Sequence, residues 1–245
     1  MAENKLKLNA DKTHVMTLGT MERLRMPGNQ VSVWMDGFHL EESQEKCETL
    51  LGCQISANLK WHDQVQELLK KLKNRLTGLA HIRFVLPYHY RKIVSEGLFN
   101  SILGYCLPLF GACDMGELRD LQVLQNKAAQ LVTQSPGRAV RNPMYDKLGW
   151  LTVNQVVRYH SLLAVYRIRM SKEPEYLAAS LCNDNRNGKI IVQNTKLTLA
   201  QKSFKVRGAC HWNALPAGIR SIQEIGAYKK EVKTWIKQHV SRFLD

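Results

Sequence analysis

The spacing of the apolar residues changes at Ser56, and this change constrains the fold more than any other feature of the chain. Before Ser56, short apolar runs alternate loosely and end at turn residues, which is typical of β-strands; these runs are residues 14–19, 31–35, 38–40 and 49–55. After Ser56, apolar residues recur at three- and four-residue steps, which places them on one face of a helix. They are Trp61, Val65, Leu68, Leu69, Leu72, Leu76 and Leu79. We therefore predict an α+β fold that is mostly α, with a small β-rich start and a helical body.

Local signals place several boundaries within this outline. The pair Asp36 and Gly37 lies between apolar runs and predicts a hairpin turn, because both turn positions require positive φ. Asp114 is a good N-cap for a long helix. Thr152 and Gln155 have the spacing of a capping box, which predicts the start of another helix. Two further helices are predicted at residues 90–103 and 227–243.

The charge balance points to an anionic partner. The 245 residues include 35 basic and 21 acidic ones, which gives a net charge of +14. An excess of this size attracts polyanions, of which nucleic acid is the commonest inside cells. Two alternatives are a basic face that meets an acidic protein and a simple effect on solubility. Since 44% of the residues are hydrophobic, the chain can bury a core in either case.

The composition also bears on compartment, membrane and metal. The six cysteines form no C-x-x-C pair and the start of the chain is polar, so we expect reduced thiols in an intracellular protein of the cytoplasm, the nucleus or both. We predict no metal site from their spacing. The most apolar stretch, residues 98–113, is shorter than a spanning helix, and no membrane association is expected.

Five segments carry a family resemblance. They are LKLNADKTHVMTLG (residues 6–19), LLGCQISANLKW (50–61), LQVLQNKAAQLV (121–132), LGWLTVNQ (148–155) and SFKVRGACHWNALP (203–216). In this order they resemble the segments that follow the catalytic strands in the reverse transcriptases of non-long-terminal-repeat (LINE-type) retrotransposons. The resemblance covers nearly the whole chain. It implies the carboxy-terminal part of such an enzyme.

The resemblance implies a division of the chain and a partner. Residues 1–56 would be the end of the polymerase palm, residues 57–182 a helical thumb-like region, and residues 183–245 a carboxy-terminal helical segment. The implied partner is RNA or an RNA–DNA duplex held as template and primer. No Asp-Asp pair occurs in this chain, whereas the family's polymerase chemistry uses aspartates that hold two metal ions. We therefore predict that the chain alone is not catalytic and has no cofactor; Mg²⁺ is implied only for an intact polymerase.

Eleven residues are candidate nucleic-acid contacts. The first group would follow the backbone of a duplex along a helix, the second interleaves cations with aromatic rings that can stack on bases, and the third lies in a glycine-containing loop. In this order they are Lys70, Lys71, Lys73 and Arg75; then Arg83, Tyr88, Tyr90, Arg91 and Lys92; then Arg138 and Arg141. For the first group an ordinary solvated face explains the same residues, and for the third group a flexible turn explains them equally. The resemblance gives Lys12 an auxiliary role beside the leaving pyrophosphate in an intact polymerase.

One alternative function belongs to a different class. The chain would then be a host-retained module that binds nucleic acid or protein and has no role in polymerisation. A third possibility is a decayed reading frame, whose opening strands would lack their pairing partners.

Overall fold

The structure is a computed structural model, and it describes residues 9, 13–26, 31–35, 37–40, 47–136, 141–192, 194–196 and 198–240. The chain divides into two compact units, residues 1–66 and residues 67–245. The first contains the strands and the second is helical, so the predicted α+β, mostly α class is confirmed. The finer division into palm end, thumb and carboxy-terminal segment stays a prediction.

The first unit contains a short helix and two antiparallel hairpins. Helix α1 is Met21–Leu24; the first hairpin pairs β1 (Val33–Met35) with β2 (Phe38–Leu40), and the second pairs β3 (Cys47–Leu50) with β4 (Cys53–Ser56). The predicted hairpin around the Asp-Gly pair is confirmed by the pairing of Met35 with Phe38 and by Gly37, whose φ is 82°. Asp36 itself lies outside the described residues.

Two strand predictions in this unit were wrong. Residues 49–55, predicted as one strand, reverse direction because Leu51 and Gly52 both have positive φ, at 50° and 78°, and so form the turn of the second hairpin. Residues 14–19 contain only an isolated bridge at Val15 instead of a strand. The amide of Gly19 donates to the carbonyl of Ala57 at 2.9 Å, which ends this segment beside β4.

The described residues contain more helices than were predicted. Helix α2 is His62–Ile82, α3 is Tyr88–Ser95, a π turn covers Glu96–Asn100, α4 is Ser101–Gly104, α5 is Leu107–Phe110, α6 is Met115–Thr133, α7 is Arg141–Leu148, α8 is Val153–Ser171, α9 is Glu175–Leu181, α10 is Thr198–Gln201, α11 is Phe204–Asn213, α12 is Ala217–Arg220 and α13 is Ile225–His239. The predicted helix starts at Asp114 and Thr152 are confirmed. In each case the amide of the N-cap donates to the side chain three residues later, Glu117 or Gln155.

A buried polar network joins α6, α7 and α8. The Gln122 side chain donates to Tyr145 Oη at 2.7 Å and accepts from the amide of Val153 at 2.9 Å. Gln125 donates to the carbonyl of Leu151 at 2.9 Å. Buried amides of this kind are stable only when they are bonded, since an unmet donor or acceptor costs about 1–3 kcal/mol. The network therefore explains why two of the five segments, residues 121–132 and 148–155, combine apolar residues with glutamines.

A second core joins α8, α9, α11 and α13. Tyr166 of α8 stacks on Tyr228 of α13 with ring centroids 4.1 Å apart. Helix α11 lies close to α8 at Gly208, where an added Cβ would be 2.8 Å from a methyl group of Val165. The Asn213 side chain both donates to the carbonyl of Ile190 and accepts from its amide, each at 2.8 Å. The segment at residues 203–216 is thus held by close packing and side-chain bonds to the backbone.

Candidate nucleic-acid interface

A groove between α2 and α6 lies in the second unit, and we call it the α2–α6 groove. Its volume is about 710 Å³, within the range of about 300–1,000 Å³ that is usual for ligand clefts. It is lined by Lys73, Leu76, Thr77, Ala80, Arg83, Phe84, Leu124, Lys127, Gln130, Leu131, Gln134 and Ser135. The spacing of these residues follows from helix geometry, since each helix contributes positions three and four residues apart along one stripe.

The α2–α6 groove is basic. Lys73, Arg83 and Lys127 line it, all three are exposed, and none of its lining residues is acidic. Within the described part of the chain, none of these three cations forms an ion pair. Cations that converge on one concavity repel each other, and a bound anion relieves that repulsion. The groove therefore has the electrostatic character of an anion site.

An aromatic side chain lies at the end of the groove. Phe84 follows the last turn of α2 and is 75% exposed. The guanidinium carbon of Arg83 lies 4.2 Å from the centroid of the Phe84 ring, a cation–π contact. Helix α2 ends at Ile82, and Pro87 disfavours helical backbone in Leu86. Phe84 therefore lies in the turn between α2 and α3, outside the core.

Arg91, a predicted phosphate contact, is a buried structural residue in this fold. It is 9% exposed. Its guanidinium donates to the carbonyls of Val132 at 3.0 Å, Arg83 at 3.0 Å and Leu86 at 2.6 Å. Gln134 donates to the same carbonyl of Arg83 at 2.9 Å. These bonds tie the end of α6 to the segment that carries Phe84, and they occupy the guanidinium that was expected to meet phosphate.

The other cations predicted on α2 lie on two sides of the helix. Lys70 and Lys73 are three residues apart and lie on neighbouring positions of one side, whereas Lys71 and Arg75, four residues apart, share another; of the four, Lys73 lines the groove. All four are exposed. Lys71 is 3.5 Å from Glu67, an exposed pair that contributes little to stability. Lys73 is therefore the member of this set that the structure brings into the groove.

The members of the predicted cluster of aromatic and basic residues, on α3 and in the turn before it, do not form one surface. The hydroxyl of Tyr88 donates to the carbonyl of Lys147 at 3.3 Å, and the ammonium of Lys147 lies 5.0 Å from the Tyr88 ring. Tyr90 is 57% exposed on the other side of the helix. Lys92 is 3.9 Å from Glu96. Only Arg83 of this cluster lines the α2–α6 groove.

The remaining predicted positions are outside what the structure describes. Lys12 and Arg138 are not among the described residues. Arg141 begins α7, but its side chain is not described.

Two residues on which the candidate site depends, Phe84 and Lys127, were not predicted. Phe84 was not named as a contact, although its position between the end of a helix and a proline indicates a turn, where an aromatic ring can lie exposed. Lys127 lies in the 121–132 segment, where it is three residues from Leu124 and four from Leu131. Placing the segment on a helix shows that Lys127 shares a stripe with those two leucines. That it faces α2 follows only from the packing.

A second group of basic side chains lies near the end of α11. Burial, and then the nearby guanidinium groups of Arg158 and Arg207, lower the pKa of His211 from 6.5 to about 3. Its Nδ1 atom is buried and makes no hydrogen bond to any described residue. His211 is therefore a partly buried, neutral residue at physiological pH, which agrees with its position in an apolar segment.

Comparison of the chain with protein-family models, with curated protein sequences and with solved structures found no match. Within the described ranges, no helix has the length and apolarity needed to cross a lipid bilayer. The same part of the chain contains no group of three or more His, Cys, Asp or Glu side chains placed to hold a metal ion.

Proposed function

We propose that this chain binds nucleic acid through the α2–α6 groove and the adjoining basic side of α2. The observation that carries the proposal is the convergence of Lys73, Arg83 and Lys127 on one concavity with no acidic lining residue. Exposed cations that form no ion pair are suited to contacts with phosphate, and such contacts do not depend on base sequence. The net charge of +14 adds a general attraction to the same partner.

The family proposal rests on the five ordered segments. On this proposal the chain is the carboxy-terminal part of a non-long-terminal-repeat retrotransposon reverse transcriptase, in which α2 and α6 belong to the thumb that holds template and primer. The partner is RNA or an RNA–DNA duplex. Because the chain has no Asp-Asp pair, it does not extend a primer by itself, and the Mg²⁺ of the reaction belongs to the intact enzyme.

The binding proposal is tested by charge-matched variants. Lys73→Gln combined with Lys127→Gln removes two charges from the groove, and Lys196→Gln combined with Lys230→Gln removes two exposed charges elsewhere. Affinity for an RNA–DNA hybrid is measured at several salt concentrations. The groove variant should bind more weakly. Its plot of log K against log salt should also be less steep by about 2, one unit for each lost phosphate contact.

The control variant keeps nearly the slope of the unmodified protein. Equal changes in the two variants would show that the charge acts only through its total, and the groove would not be the interface. Failure of the unmodified protein to bind any nucleic acid at low salt would instead favour the protein-interaction alternative. Primer extension with template, nucleotides and Mg²⁺ tests the second proposal, and any extension product would contradict it.

A further inference from the structure

Phe84 is an exposed aromatic residue in the segment that follows α2. Its 75% exposure leaves most of the ring in water; the next residue, Val85, is 77% exposed, whereas Leu79 within α2 is 3% exposed. The backbone beside the ring is held by hydrogen bonds. The carbonyl of Arg83 accepts from both Arg91 and Gln134, and the guanidinium of Arg83 lies over the Phe84 ring. An exposed ring at the end of a basic groove is suited to stacking on a flat ligand.

The lining of the α2–α6 groove matches the parts of a nucleotide. Leu76, Leu124 and Leu131 supply an apolar surface, while Thr77 and Ser135 supply hydroxyl groups. Its volume of about 710 Å³ is that of a cleft for a small molecule, whereas a duplex could only lie across it. Furthermore, the bases of a duplex stack on each other and offer no free face except at an end.

Aromatic and cationic groups together distinguish nucleic acid from other anions. A base can stack on an aromatic ring whatever its identity, and the phosphates on either side of it meet cations. An acidic peptide would use Lys73 and Lys127 in the same way, but its carboxylates gain nothing from an exposed ring. The combination of Phe84 with the two lysines thus favours a nucleotide over an acidic peptide.

We infer that the α2–α6 groove holds an unpaired nucleotide of a single-stranded RNA or DNA segment, with its base stacked on Phe84 and phosphates of the same strand at Lys73 and Lys127. This inference rests on the proposed nucleic-acid binding and adds the class of ligand. In a complex that also contains duplex, the groove would take the unpaired strand beside it.

The test replaces the ring and leaves the charges unchanged. Phe84→Leu removes the stacking face, and Tyr176→Leu is the matched control because Tyr176 is an aromatic residue that is 74% exposed on α9, outside the groove. Three probes of equal length are titrated: a single-stranded oligonucleotide, the same backbone with abasic sites, and a blunt RNA–DNA hybrid. Thermal unfolding checks that both variants remain folded.

The unmodified protein should bind the single strand with bases more tightly than the abasic strand. Phe84→Leu should weaken binding of the single strand by about 5- to 150-fold, the range for loss of one stacked base, and should remove the preference over the abasic strand. Binding of the hybrid should change little. Tyr176→Leu should leave all three affinities unchanged. As a second measurement, a strand that contains 5-iodouracil should crosslink to Phe84 on irradiation.

Several results would overturn the inference. If Phe84→Leu binds the single strand as well as the control does while the groove lysine variant still weakens binding of the hybrid, the nucleotide site is wrong and the proposed interface stands. Equal weakening of all three probes would also exclude base stacking. Equal competition by a polyglutamate peptide of the same charge would identify an acidic protein segment as the occupant. If the unmodified protein binds none of the probes at low salt, both proposals fail.

Discussion

Arg91 provides a test of whether a basic residue in this sequence supports the fold or contacts a ligand. Arg91→Met keeps an unbranched side chain of similar length and removes all the donors. The carbonyls of Val132 and Leu86 then lose the bonds that Arg91 makes at 3.0 Å and 2.6 Å, while the carbonyl of Arg83 keeps Gln134. Val132 lies in the last turn of α6, where carbonyls have no partner within the helix.

The size of the effect follows from these two lost bonds. A hydrogen bond from a charged donor contributes about 1.5–3 kcal/mol, so Arg91→Met should lower the free energy of unfolding by about 3–6 kcal/mol. This is a large part of the roughly 5–15 kcal/mol that stabilises an ordinary domain. Equilibrium denaturation with urea measures the change. The matched control is Lys92→Met, which removes a partly exposed cation 3.9 Å from Glu96 and should change stability by about 1 kcal/mol or less.

Binding measurements on the two variants show whether Arg91 also contacts a ligand. Because the guanidinium of Arg91 is occupied by carbonyl oxygens, Arg91→Met should leave the slope of log K against log salt unchanged for the folded protein. The structural reasoning would be refuted if Arg91→Met unfolded at the same urea concentration as Lys92→Met. A fall of about one unit in the salt slope would likewise show that Arg91 contacts a phosphate.

Three further predictions concern the core and its response to pH. Gly208→Ala places a Cβ 2.8 Å from a methyl group of the buried Val165 and should destabilise the fold by about 1–3 kcal/mol, whereas Gly218→Ala, where nothing lies within 4 Å, should have little effect; thermal unfolding compares the two. Gln122→Leu leaves the buried amide of Val153 without its acceptor, while the hydroxyl of Tyr145 keeps its bonds to Gln125 and Asn126, and should cost about 1–3 kcal/mol in urea denaturation, so an unchanged midpoint would contradict that network. Since the pKa of His211 is lowered to about 3, the unfolded state binds its proton more readily, and the free energy of unfolding should fall as pH falls from about 6.5 to 3. His211→Phe should lack this part of the pH dependence, and identical pH profiles for the two proteins would show that His211 is not buried as a neutral residue.

Local sequence signals were sufficient to predict the structure where the apolar residues recur with one period. The apolar positions of α2 share a helix face whatever they pack against, and 3.6-residue geometry alone places them there. The helix starts at Asp114 and Thr152 were predictable for a similar reason, because capping satisfies amides within the same turn. The Asp-Gly hairpin depended on two adjacent residues only.

For the short apolar runs, the local sequence did not determine which structure they adopt. Residues 14–19 and 49–55 alternate well enough for strands, but whether a run pairs, turns or only touches a neighbour depends on the backbone available beside it. Leu51 adopts a φ of 50° in the turn of the second hairpin, which a leucine does only where the surrounding strands favour the turn. Propensity for β-structure reflects such surroundings more than an intrinsic preference of the residue.

The candidate site shows the same division between what the sequence and the fold decide. The sequence by itself determined that the chain is basic, that its second unit is helical, and that cations recur along α2. Only the tertiary placement of α2 beside α6 decided which of them converge: it brought Lys73 and Lys127 to one groove, while the same fold left Phe84 in solvent and buried Arg91 among carbonyl groups. A helix fixes the direction of a side chain relative to its own axis, whereas charge in a concavity depends on how two axes lie together, and that is decided by contacts between residues far apart in the chain.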